Sequence, residues 1–223
     1  MKNEMNKIKK ILSGGVVILL IAFFGLAPIE RQVAFALDWG DMGMKMMAVG
    51  VVDKDKMEGL HLGRGGMTAS GRAMMYGNSN ENFTITPENS DMALHMLWAF
   101  GLANKNEILE KGPMMDPKYG DAGRFASTGG YTLGKGGAME HYSMHSFVEL
   151  TAAEQKLVEK TAKNIFRPCC KNSAYFPDCN HGMAMLGLLE LMASQGASEK
   201  EMYKAALEAN ALWFPEVKTS CGA

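Results

Sequence analysis

The chain has 223 residues, 23 Lys+Arg against 24 Asp+Glu, and is 47% hydrophobic and 21% charged. Balanced charge excludes a nucleic-acid binder held by bulk positive charge, and the apolar share excludes a disordered tail. The length suits one compact domain or one with an appendage, and the anomalies are 20 methionines and 25 glycines.

Lys2, Lys7, Lys9 and Lys10 precede an apolar run over 16–27, and Ala34-Phe35-Ala36 follows after Pro28 and a short polar stretch. A positive segment, an apolar segment and an A-x-A site predict a secretory signal spanning 1–36. The alternative is an uncleaved membrane anchor over 11–27, for which the run is short and interrupted. Without 1–36, 18 basic residues face 22 acidic ones. The expectation is an exported, periplasmic or extracytoplasmic protein in an oxidising space, touching a membrane only through its N-terminal segment.

Residues 37–150 are expected to form a loop-rich portion, rich in Met, Gly and His, with one or two helices. Over 38–90 no sustained period is visible, and only 83–86 carries a weak strand signal. A helix is predicted from Asp91 to about Leu109, with Ser90 as its cap and Leu94, Leu97, Trp98 and Leu102 as its apolar series. Gly129 to Gly136 approaches a phosphate loop, but Gly136 stands where the Mg-binding hydroxyl belongs and no apolar strand precedes it. Nucleotide is therefore not expected. A second helical stretch is predicted over 139–148.

Residues 151–223 read as a Cys/His-bearing helical domain. Thr151 and Glu154 form a capping box that opens a helix. After a cysteine-bearing loop a second helix, apolar almost all round, runs from His181 to Gln195. Gly196 closes it, and Ser198 with Glu201 caps a third helix that stops before Pro215. The fold class expected is mostly α, with a C-terminal three-helix unit.

The four cysteines are Cys169, Cys170, Cys179 and Cys221. Cys169, Cys170, Cys179 and His181 fall within thirteen residues, a density of thiolate and imidazole that suits Cu(I), Zn(II) or Hg(II). The same thiols suit disulfide exchange. They also suit two structural disulfides, either 169–179 with 170–221 or 170–179 with 169–221. His141 and His145, one turn apart if helical, form a candidate accessory site with Met144. The bunched Met42, Met44, Met46 and Met47 match thioether ligation of Cu(I) as well as core packing. Met183, Met185 and Met192 read as core, and His61 and His95, alone in sequence, as structural.

The text Arg167-Pro168-Cys169-Cys170-Lys171-Asn172-Ser173, then Asp178, then Gly196-Ala197-Ser198-Glu199-Lys200-Glu201 resembles the thiol-bearing domain of the exported subunit of cytochrome c maturation. It also resembles exported bacterial proteins named for a PCYCGC motif. The likeness covers about 60 residues, from Glu154 to Pro215. It implies a helical hairpin carrying reactive thiols, Cys169 or Cys170 attacking, and a cytochrome or metalloprotein assembly partner. The family separates its two thiols by two residues, whereas here they are adjacent. The leading expectation is a binder of a soft metal, copper foremost, through Cys169, Cys170, Cys179 and His181. The alternatives are an extracytoplasmic thiol–disulfide oxidoreductase and a disulfide-stapled structural domain.

Overall fold

The computed structural model describes residues 35–77 and 82–216. The predicted leader lies almost wholly outside them, as does Cys221. Among the described residues there are eight α-helices and no strand: α1 (Met42–Ala48), α2 (Lys54–Leu62), α3 (Ala69–Tyr76), α4 (Ser90–Ala103), α5 (Glu107–Lys111), α6 (Ala152–Asn164), α7 (Asn180–Ser194) and α8 (Glu199–Trp213). None is long and apolar enough to cross a membrane. The protein is mostly α, with the C-terminal helical unit expected.

That unit forms where its caps say it should. Thr151 Oγ1 accepts from Glu154 N while Glu154 returns a carboxylate to Thr151 N at 2.7 Å, satisfying two amides that the helix start leaves free. Ser198 and Glu201 repeat the device at α8. Between them, the amides of Gly196 and Ala197 bond back to Ala193 and Met192 at the end of α7.

The earlier portion is more helical than its sequence pattern predicts. Residues 38–90 hold three short helices, and α1 turns the methionine run into an i,i+4 pair: Met42 and Met46 are buried in the core. The predicted strand over 83–86 reduces to one bridge between Leu37 and Phe83. The predicted 91–109 helix breaks at 104–106, where Lys105 N bonds to His145 O and the Asn106 side chain caps α5. Over 139–148 no α-helix forms, only the end of a single 3-10 turn at Ala138–Glu140. Instead Ser143, in the left-handed region at φ 55°, turns the chain so that the amides of Ser143 and His145 bond to Leu102 and Ala103, the last carbonyls of α4. Those carbonyls have no partner within their own helix, and the 143–145 segment supplies one.

Helices α4 and α7 are buried all round and make the largest helix pair. They meet at Gly101 and Gly187. A Cβ built on Gly101 would sit 2.3 Å from Met183 O, and one on Gly187 would sit 2.6 Å from Leu97 O. No side chain fits, so the two backbones touch. Asn104 Nδ2 bonds to Glu190 at 2.7 Å across a sequence separation of 86, the same separation as Gly101 from Gly187 and His95 from His181. A constant offset means that the helices run in the same direction, with their N-terminal ends side by side.

A methyl group at this crossing has only backbone to displace. Gly101→Ala and Gly187→Ala should each lose about 2 kcal/mol or more in urea unfolding, since overpacking a rigid contact costs about 1–3 kcal/mol. Gly59→Ala, in α2 with open space around its Cβ position, should instead gain about 0.5–1 kcal/mol from helix propensity.

Candidate metal centre

The loop between α6 and α7 is built around a buried cation. The Arg167 side chain is fully buried. Its Nε donates to Asn172 O at 3.2 Å, and its Nη2 donates to Phe176 O at 2.8 Å, Ser173 O at 3.3 Å and Asp178 Oδ1 at 2.8 Å. Its Nη1 donates to Cys179 Sγ at 3.1 Å. Asn172 Nδ2 closes the ring on Asp178 Oδ2 at 2.8 Å. The guanidinium thus gathers three carbonyls, a carboxylate and a sulfur that would otherwise splay, as a buried charge must be fully paired. Gly182, in the first turn of α7, leaves room for it: a Cβ there would lie 1.9 Å from Nη1.

This frame brings three sulfurs together. Cys169, Cys170 and Cys179 each offer an Sγ, and the three lie within 4.8 Å of one another, with Cys169 and Cys170 3.7 Å apart. All three are free thiols; Cys169 and Cys170 are exposed and Cys179 is half-buried. Thiolates bound at about 2.3 Å around one ion stand about 3.8–4.0 Å apart in tetrahedral or trigonal geometry, so small side-chain shifts would complete a three-sulfur cage. Local burial, then the neighbouring Cys179 and Cys170 sulfurs, push the Cys169 thiol up to about 12. That thiol keeps its proton at neutral pH until something replaces it.

His181 follows Cys179 by two residues, but its ring lies elsewhere. It packs against Phe214 with centroids 4.3 Å apart and against Trp213 at 6.2 Å. The ligand atoms that converge at the loop are the three sulfurs. Burial, then the Arg167 charge, lower the His181 pKa to about 4.

The accessory residues are brought together by the turn rather than by a helix. His141 Nδ1 and His145 Nε2 are 3.1 Å apart, the rings stack at 5.4 Å, and His141 Nε2 bonds to Lys135 O. Met144 is exposed. Met183, Met185 and Met192 are core, as their setting in an apolar helix predicts.

A second convergence joins residues that stand alone in the sequence. His61, at the end of α2, meets Asp91 and His95, which lie one turn apart on α4, and one ligand atom from each falls within 4.8 Å of the others. Only the Asp91-x3-His95 spacing could have pointed to it; the partner 30 residues upstream carries no motif. His181 stands close enough to His95 for their charges to repel.

No family model, no curated protein and no solved structure matches the chain.

Two outcomes follow from this geometry. Arg167→Met should cost about 3–5 kcal/mol, the typical loss when one partner of a buried ion pair is removed, and should accelerate alkylation of Cys179 as the loop loosens. Acid should also weaken the fold. Burial, outweighing the opposing Asp91 charge, lowers His95 to about 4, His181 is lowered to about 4, and His61 is lowered. In the unfolded chain these histidines take up protons near pH 6.5, whereas folded His95 and His181 do not until about 4. Stability is therefore fully present above pH 6.5 and should fall steadily as pH drops toward 4, seen as a falling urea midpoint at constant ionic strength.

Proposed function

We propose that this protein is an exported binder of a soft metal ion, Cu(I) foremost, which it stores, delivers or sequesters. The observation that carries the reading is the convergence of Cys169, Cys170 and Cys179 on an exposed loop held by a buried guanidinium. Three thiolates are soft donors that select Cu(I), with Zn(II) and Hg(II) as competitors for the same cage. Three thiolates and Cu(I) carry two excess negative charges, which the Arg167 guanidinium beside Cys179 partly offsets. Exposure of two of the three sulfurs suits an ion that must be picked up and passed on. His141 and His145 form an accessory pair of nitrogens, with Met144 nearby in sequence as a thioether. Export rests on the leader read at 1–36.

Binding requires the thiols to release protons, one per thiolate formed. Cys169 is the demanding member, because its thiol is held well above the usual range. Affinity should therefore weaken steeply with acid, since each proton returned to a sulfur displaces the ion. A second reading, thiol–disulfide exchange with a cytochrome or metalloprotein assembly partner, is supported by the exposed Cys169 and Cys170 sulfurs, 3.7 Å apart. There a pair of thiols would give up two electrons and two protons to the disulfide of the partner. A thiol that holds its proton as Cys169 does is a poor attacking group, so in that reading the attack would fall to Cys170.

Competition against a chromogenic Cu(I) chelator under reducing, anaerobic conditions separates the readings. One equivalent should bind with a dissociation constant well below about micromolar, a loose bound for a preformed multidentate site. Cys169→Ser, Cys170→Ser and Cys179→Ser should each weaken it by more than about 100-fold, beyond the 10–100-fold typical of residues outside the ligand shell. Affinity should rise between about pH 6 and pH 8 as thiol protons are given up more readily. Binding no tighter than micromolar, or indifferent to these substitutions, would overturn the proposal. Turnover in an insulin-reduction assay with no metal affinity would establish the exchange reading instead.

A further inference from the structure

A second cluster of metal-ligating side chains lies outside the cysteine loop. His61 and His95 are 4% and 5% exposed, so their rings are fixed by the surrounding core rather than by solvent. His61 Nε2 lies 3.3 Å from His95 Nδ1. Asp91 Oδ1 lies 3.9 Å from His95 Nδ1, and Asp91 Oδ2 lies 3.7 Å from His61 Nδ1. The last two separations are too long for hydrogen bonds. One ligand atom from each residue lies within 4.8 Å of those of the other two, and small side-chain rotations would close them to the roughly 3.4 Å that donors at about 2.0–2.2 Å keep around a tetrahedral centre. The elements enforce the arrangement, since Asp91 and His95 share one face of α4 and the last turn of α2 delivers His61 opposite them.

From this geometry we infer that His61, Asp91 and His95 bind a borderline divalent cation of the Zn(II) type, independently of the cysteines. Two imidazoles and a carboxylate are the donor set for such an ion, harder than the three sulfurs, and three protein ligands leave an exchangeable fourth position. The way in is from the solvent side, where the Asp91 carboxylate is half exposed. Arg64 guards it: its Nη1 holds both carboxylate oxygens, at 2.7 and 2.9 Å, from an exposed side chain free to swing away. In the metal-free protein Arg64 holds the carboxylate in place of the cation, and an incoming ion displaces it. Three thiolates favour a soft ion and this donor set a borderline one; Zn(II) could enter either, so the two sites are separated by removing the thiols.

The test uses the full chain carrying Cys169→Ser, Cys170→Ser and Cys179→Ser together, so that failure of the thiol reading leaves it intact. Equilibrium dialysis should retain one equivalent of Zn(II), and Co(II) should give the visible bands of a tetrahedral centre without thiolate charge transfer. His61→Ala and His95→Ala should each cost more than about 100-fold in affinity, again beyond an outer-shell effect, with circular dichroism in chelator unchanged. Arg64→Ala provides the arm that survives if the histidine variants misfold. On a metal site it should tighten Zn(II) binding about tenfold, within the range by which outer-shell partners tune metal affinity; on a purely structural cluster it would leave Zn(II) binding unmoved. No retained Zn(II), retention indifferent to His61 and His95, or an Arg64→Ala variant with unchanged affinity would each overturn the inference.

Discussion

The contact on which the rest of the molecule depends is the crossing of α4 and α7 at Gly101 and Gly187, where two backbones meet with no side chain between them. A close crossing of parallel helices fixes what lies at either end. At one end it sets His95 beside His181 and brings the start of α7, which carries Cys179, next to the helix that carries Asp91. At the other it buries Glu190 against Asn104. Burial holds the Glu190 carboxyl well above its usual range. The same Asn104 accepts through its Oδ1 from the amides of Phe147 and Val148, tying the 141–148 turn to the end of α4. One residue thus couples helix packing to the position of His141 and His145.

Around this frame the protein separates two kinds of donor. The sulfurs stand at the surface, on a loop whose shape comes from a buried guanidinium reaching carbonyls, a carboxylate and Cys179 at once. The nitrogens of His61 and His95 sit inside, on helices, with Asp91 as their opening to solvent. Between them runs a line of charge-sensitive groups: Arg167 acts on His181, and His181 acts on His95.

How much of this could be read from the sequence follows from how local each signal is. Capping boxes at Thr151 and Ser198 depend on residues three apart, and both form as expected. The cysteines are dense in sequence, so their convergence was visible, but its cause was not: Arg167 gives no sign in sequence of being buried. Methionines 42 to 47 lay in a polar setting that hid a two-turn helix, because Met42 and Met46 find their apolar partners in α3 and α4, far along the chain. The helix expected over 139–148 was lost to tertiary demand, since the free carbonyls of α4 needed those amides. Proximity in sequence places His181 with the sulfurs, whereas its ring turns to Phe214 and Trp213. His61 and His95 look solitary in sequence for the converse reason: their proximity exists only once α2 has packed on α4.

The most direct test of the central claim is X-ray absorption at the copper edge of the Cu(I)-loaded full chain, which counts the atoms bound to the ion. Three sulfur neighbours at a metal–thiolate distance of about 2.3 Å, falling to two when Cys179 is replaced by serine, is the result that a cage of Cys169, Cys170 and Cys179 requires. A shell dominated by nitrogen or oxygen, or a sulfur count that Cys179→Ser leaves unchanged, would contradict it.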